Sequence, residues 1–216
     1  MPRAPRVHFP GALFHVMARG VGGRDLYLDS ADYLAFLNLI AEVKEALPFK
    51  LYAYCLMSNH FHLLLQELEA TSSMIMHNIM SRYAHFFRKR RQWVGHLFQS
   101  RYKAILCNKD SYLLELLRYI PLNPVRANIV KDPAAWQWSS HRNYLQGRSD
   151  GLVDTQMPLA LFSQDETRAV RRYEEFVLRG LPMGHRSDRR INPSHDRMRK
   201  IDGWRSRPCL GRETAG

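Results

Sequence analysis

His60 and His62, in the stretch MSNHFHLLLQ, are spaced to act together, and Tyr119, far downstream in LLRYIPLNPVRA, is a nucleophile they could serve. Side chains alternate faces along a strand, so the two histidines project the same way while Phe61 turns into the opposite layer. A neutral imidazole is a common ligand for a divalent cation, and two on one face need one or two further donors to hold an ion with positions left open for substrate. The residues just after His62 supply only Gln66, Glu67 and Glu69, so the remaining donors must come from elsewhere in the chain. If Tyr119 lies on a helix, Asn123 at i+4 stands one turn beyond it on the same face and offers an amide oxygen as a third ligand, while Glu115 stands one turn before. Pro121 and Pro124 bear on that placement. Proline removes a backbone donor and pushes the preceding residue out of α geometry, which sets Asn123 at or just past the helix end.

The elements that must carry these residues can be read from apolar periodicity. ALFHVMAR alternates as a strand, with Leu13, His15, Met17 and Arg19 on one face, and Gly20, Gly22 and Gly23 end it. Asp29 or Ser30 caps a helix whose apolar positions Tyr33, Phe36, Leu37, Ile40 and Val43 recur at helical spacing until Pro48. FKLYAYCLM and HFHLLLQ read as two strands of a hairpin turning at Ser58 and Asn59. A second helix, capped near Thr71 or Ser72, carries Ile75, Ile79, Tyr83 and Phe86 on one stripe and ends in Arg88, Lys89, Arg90 and Arg91. RYKAILC is a fourth strand and YLLELLRYI a third helix that buries Leu113, Leu117 and Ile120. The order strand, helix, strand, strand, helix, strand, helix predicts an α+β fold: a ferredoxin-like antiparallel sheet with helices packed on one face. Residues 1–145 are expected to form this domain and 146–216 a C-terminal extension, with one helix inside LFSQDETRAVRRYEEFVLRGL and then a basic tail beyond Gly180.

Charge narrows the partner. The 216-residue chain carries a formal net charge of +12, and a basic surface of that size attracts polyanions and speeds encounter with them, which makes nucleic acid the leading candidate. No apolar run approaches the ~20 residues of a transmembrane helix, and no signal-peptide pattern opens the chain, so no membrane partner is expected. Cys55, Cys107 and Cys209 are odd in number and widely spaced, which indicates neither a disulfide framework nor a zinc finger and fits a reducing cytoplasm. Candidate backbone contacts are Arg19, then Arg82, Arg88, Lys89, Arg90 and Arg91 on the second helix, Arg101 and Lys103 by the fourth strand, and Arg118 and Arg126 flanking Tyr119. Trp136 and Trp138 could stack bases, but a Trp pair at i, i+2 before Ser-Ser is expected to pack the C-terminal segment onto the sheet. For an HxH pair in isolation partly buried structural histidines are the leading reading, with cupins and metal-dependent phosphohydrolases behind it.

Three strings together go further. MSNHFHLLLQ, LFQSRYKAILCNKDSYLLELLRYIPLNPVRANIV and WQWSSHRNYL resemble, in order and spacing, the REP-associated tyrosine transposases, a branch of the HUH single-strand DNA transposases related to the IS200 type. The resemblance covers roughly the first two-thirds of the chain. It implies that His60 and His62 bind Mg²⁺ or Mn²⁺, that Tyr119 attacks DNA and that Asn123 completes the metal site. The activity implied is metal-dependent cleavage and strand transfer of single-stranded DNA through a 5′-phosphotyrosine at REP-type hairpins. The partners implied are single-stranded and hairpin DNA, the place is the cytoplasm near the nucleoid, and the assembly is a monomer or homodimer. A domesticated, catalytically weak hairpin-binding protein is the alternative. The chain departs from the family pattern at Ser58, where proline is frequent, at Pro121, where a polar residue is frequent, and at Val21, where Asn is usual after the glycine.

Overall fold

The computed structural model describes residues 8–107, 110–147 and 149–181; the basic lead (Pro2, Arg3, Pro5, Arg6) and the expected basic tail from residue 182 onward lie outside the described residues. Strand β1 (Leu13–Arg19) leads through a short glycine-rich turn into helix α1 (Ser30–Ala46), where the Asp29 side chain caps the first turn by accepting from the Asp32 amide at 3.1 Å. Strands β2 (Phe49–Met57) and β3 (His60–Glu67) follow, then α2 (Ser72–Arg91), β4 (Lys103–Leu106) and α3 (Asp110–Tyr119). Short helices α4 (Asn123–Arg126), α5 (His141–Leu145) and α6 (Gln156–Ala160) precede α7 (Glu166–Leu178). No described helix is long and apolar enough to cross a membrane.

The sheet runs β2-β3-β1-β4 with every neighbouring pair antiparallel, the ferredoxin-like order expected from the element sequence. Register decides which side chains meet. His62 lies between Met17 of β1 and Cys55 of β2, and His60 between Arg19 and Met57, while β4 sets Lys103 beside Met17 and Ile105 beside His15. All of these share one face of the sheet, because residues directly opposite one another project the same way. Phe61 is on the other face, where α1 and α2 pack: the Phe36 ring lies 4.9 Å from those of both Phe61 and Tyr83. On α2 the stripe Ile75, Ile79, Tyr83 is buried as its spacing requires, but Phe87 rather than Phe86 closes it.

Burial along β2 and β3 is nearly continuous rather than alternating, so both faces of the sheet are covered. On the histidine face the cover includes the end of α3, which buries Leu113, Leu116, Leu117, Tyr119 and Ile120. The edge of β2 is closed by the chain around residues 136–140: Leu56 N–H donates to the Trp138 carbonyl at 2.8 Å, and Ser140 N–H to that of Tyr54 at 3.0 Å. Trp138 stacks on Tyr33 at 4.4 Å and Trp136 Nε1 donates to the Leu56 carbonyl at 3.1 Å, so the Trp pair packs as its sequence context suggests. Helix α7 docks through Tyr173, which stacks on Tyr144 at 4.5 Å, and through Phe176 beneath the Arg118 guanidinium at 4.8 Å.

Candidate functional site

The face chosen by the β3 register is where the candidate chemistry gathers. The His60 and His62 rings are 5.1 Å apart, and the Tyr119 ring stands edge-on to His62 at 5.8 Å although 57 residues separate them in sequence. Helix α3 ends at Tyr119 because Pro121 has no amide to continue it; the chain then turns through Leu122 into α4. Asn123 therefore begins α4 rather than extending α3. Its Nδ2 donates to the carbonyls of Tyr119 and Ile120 at 3.0 and 3.1 Å, satisfying two acceptors at the helix end and leaving Oδ1 as the atom a cation could take.

Each histidine is held by one nitrogen. His60 Nδ1 lies 2.7 Å from Asn59 Oδ1, an oxygen that can only accept, so the proton is on Nδ1 and the Nε2 lone pair is open. His62 Nδ1 lies 3.0 Å from Nε2 of His15, which is 1% exposed and stacks against His62 at 5.2 Å. Burial holds all three rings neutral: His60 is pushed down to about 4 and His15 to about 3, and His62 lies well below 6.5. Positive charge adds to burial in each case, from Arg19 on His60, from Lys103 on His15 and from Arg126, among others, on His62. Neutral imidazole nitrogens suit a divalent cation, and Asn123, tied to the Tyr119 carbonyl, carries an amide oxygen of the kind such an ion takes, so the residue types present fit the one the resemblance implies.

The same electrostatics sort the basic residues. Arg19 and Lys103 share the histidine face, and the Arg126 guanidinium lies over the Tyr119 ring at 4.6 Å. Arg101 is exposed just before β4. Arg82, Arg88, Lys89 and Arg90 instead belong to α2, on the other side of the sheet. Arg82 pairs with Glu42, and Arg90 and Arg91 clamp Asp29 and the fully buried Asp32 at the start of α1. Arg118 pairs with Glu115 at 2.5 Å and covers Phe176.

His15 is the member that sequence reasoning did not single out. Its strand is plain from the alternation, but one histidine on an alternating strand carries no signal until the register sets it diagonally across from His62. The signal was present in the topology: in a ferredoxin-like order β1 neighbours β3, so a β1 histidine of the right parity must share a face with the HxH pair.

A ferredoxin-like sheet whose one face brings imidazoles and guanidinium groups together with the phenol of Tyr119 defines a protein equipped to receive an anion. The family to which it belongs follows from the match of residues 13–123 to the family model described as transposase IS200 like, which spans just over half of the chain: the protein is a member of the IS200-like transposases, a DNA-processing family. Among solved structures it resembles a REP-associated tyrosine transposase bound to a REP hairpin, with a TM-score of 0.60 and 20% identity over 71% of this chain and 94% of that one. At that identity the likeness establishes the shared fold. More distant geometric likenesses, too remote to bear on the chemistry, are to a provisionally assigned transposase of Deinococcus radiodurans (TM-score 0.39, 15% identity, 55% of this chain and 95% of that one) and to tRNA(His) guanylyltransferase of Saccharomyces cerevisiae (TM-score 0.42, 9% identity, 85% and 86%). No curated protein matches the sequence.

Proposed function

We propose that the protein cleaves and rejoins single-stranded DNA at REP-type hairpins through Tyr119. The observation that carries this is the convergence of the Tyr119 ring on His62 and His15, at 5.8 and 6.2 Å, on a face lined by Arg19, Lys103 and Arg126. His60 Nε2, His62 Nε2 and Asn123 Oδ1 would hold a divalent cation, Mg²⁺ or Mn²⁺, which when bound neutralises charge on the non-bridging phosphate oxygens. The chain's own residues do the rest. Arg19, Arg101 and Lys103 hold the backbone phosphates on either side of the scissile bond. Tyr119 Oη attacks phosphorus and gives up its proton as the P–O3′ bond breaks; the 3′ oxygen leaves as a hydroxyl and the 5′ phosphate stays on the tyrosine. Arg126 places positive charge against the ring as negative charge develops at the phenolic oxygen. The phosphodiester energy is kept in the covalent link, so a 3′-hydroxyl can reverse the step with no nucleotide consumed.

Incubation with Mg²⁺ or Mn²⁺ and a labelled hairpin from the DNA flanking its gene is expected to give a covalent adduct that Tyr119→Phe abolishes. Cleavage that persists in that variant would refute the assignment. Hairpin binding indifferent to metal, with no adduct under either ion, would support a binding protein that no longer cuts.

A further inference from the structure

We infer that His15 is a positioning residue for the cation site: it holds the His62 ring by its Nδ1 edge and takes up the tautomer that leaves His62 Nε2 free to ligate. This rests on the proposal that His60 and His62 bind the cation, and it concerns a residue of a different strand that binds none itself. His15 Nε2 and His62 Nδ1 face each other at 3.0 Å, both rings buried and nearly parallel with an interplanar angle of 23°. A hydrogen bond between two neutral imidazoles holds one proton, so it has two arrangements. With the proton on His62 Nδ1, that ring has its Nε2 lone pair open. With the proton on His15 Nε2, His62 carries its own proton on Nε2, on the nitrogen a cation needs.

His60 has no such choice, because Asn59 Oδ1 only accepts and fixes its proton on Nδ1. The two ligands are thus supported differently, one by a partner that dictates the tautomer and one by a partner that can exchange it. His15 Nδ1 is buried with no hydrogen-bond partner. Moving the shared proton to His62 makes that atom an unsatisfied donor, and moving it to His15 makes it an unsatisfied acceptor. A carbonyl-like lone pair is tolerated unpaired more readily than an N–H. Without a cation the pair therefore favours the proton on His15, and cation binding drives it to His62. The Tyr119 ring stands edge-on to both members at 6.2 and 5.8 Å, so the pair also forms the wall against which the nucleophile packs.

The test reads cation binding and ring tautomers rather than cleavage. Free and bound Mn²⁺ are distinguished by electron paramagnetic resonance in a titration of the full chain and of His15→Phe and His15→Gln. Phe fills the space without an acceptor, whereas the Gln amide can place an oxygen near the position of Nε2. Removal of such an outer partner costs about 10–100-fold in metal affinity, so His15→Phe is expected to bind Mn²⁺ about 10–100-fold more weakly. His15→Gln should recover most of that loss, which a general packing defect would not allow. In ¹⁵N-labelled protein the His15 Nε2 resonance is expected to change from protonated to unprotonated as Mg²⁺ saturates the site. Wild-type affinity in His15→Phe, or a His15 Nε2 still protonated at saturation, would overturn the inference while leaving the Tyr119 chemistry intact. Failure of the wild-type chain to bind Mn²⁺ would overturn it together with the cation site.

Discussion

At the scale of single residues, the site is organised by what each side chain is prevented from doing. Asn59 prevents His60 from protonating the nitrogen that faces the opening, and Pro121 prevents α3 from continuing, so that Asn123 turns its amide nitrogen onto the exposed carbonyls and keeps its oxygen available. Arg126 is constrained by Tyr119: a guanidinium 4.6 Å above a ring both orients that ring and supplies charge to it. Truncation as Arg126→Ala is accordingly expected to slow adduct formation about tenfold, the scale of a partly desolvated cation–π contact. Single-turnover adduct rates check this, with Mn²⁺ affinity as the internal control. Because the Arg126 charge opposes any further positive charge at His62, the variant should bind Mn²⁺ no more weakly than the parent. A parallel loss of both would mean that Arg126 supports the fold of the site instead.

At the scale of elements, the α1–α2 pair and the end of the sheet explain why some basic residues are committed elsewhere. Asp32 is fully buried and accepts from the Leu28 amide at 2.9 Å as well as from Arg90 and Arg91, which ties the C-terminus of α2 to the start of α1. Arg90→Ala is therefore expected to lower stability by about 1–3 kcal/mol, since it removes a partner from a buried carboxylate, while leaving the salt dependence of DNA binding unchanged. Lys103→Ala should leave stability within about 0.5 kcal/mol and reduce the slope of log affinity against log salt by about 0.7, the value for one phosphate contact on a single strand. Fluorescence anisotropy across salt and urea melts separate the two. Gly20 marks the same end of the sheet: a Cβ there would lie 2.0 Å from the Arg24 carbonyl oxygen, so Gly20→Ala is expected to cost about 2 kcal/mol or more in a urea melt.

The strands, α1 and α2 were legible from spacing and capping residues because local patterns fix them; β2 falls on the apolar run read from sequence, and Asp29 caps as expected. The joining of Tyr119 to the HxH face was legible through family resemblance alone, since nothing in the LLELLRY periodicity says which side of the sheet the helix covers. The Asp32 clamp and the His15 contact depend on inter-element register, which no local pattern contains, and this is why a run of four basic residues read equally well as a DNA surface.

At the scale of the whole molecule, these contacts leave four neutral histidines among the described residues of a basic protein, and that sets its response to acid. His15, His60 and His141 are pushed down by burial from 6.5 to about 3, 4 and 4, and His62 lies lower than 6.5 for the same reason. In the unfolded chain each regains a pKa near ~6.5. Between pH 6.5 and about 4 the unfolded state therefore binds protons that the folded state refuses, and stability falls as pH is lowered through that window. The slope is about 1.4 kcal/mol per pH unit for each group fully protonated only when unfolded. Above pH 6.5 both states are neutral at these sites and the contribution is constant. The carboxylate of Asp29, held low by Arg90 and Arg91, keeps its full advantage above the ordinary carboxylate range and starts to lose it as pH falls through about 4, at the foot of the histidine window. A series of thermal melts is expected to give a midpoint that is level from pH 8 to about 6.5 and declines steeply from there to pH 4.5. His141 is a control distant in role, since its Nδ1 meets the Tyr173 hydroxyl at 2.9 Å in the α5–α7 contact and not the face that Tyr119 covers. His141→Gln should make the decline shallower by about one group's share. A midpoint that stays level down to pH 4.5 would mean that water reaches these rings in the folded protein, and with it the low-dielectric setting that keeps the imidazoles neutral would be lost.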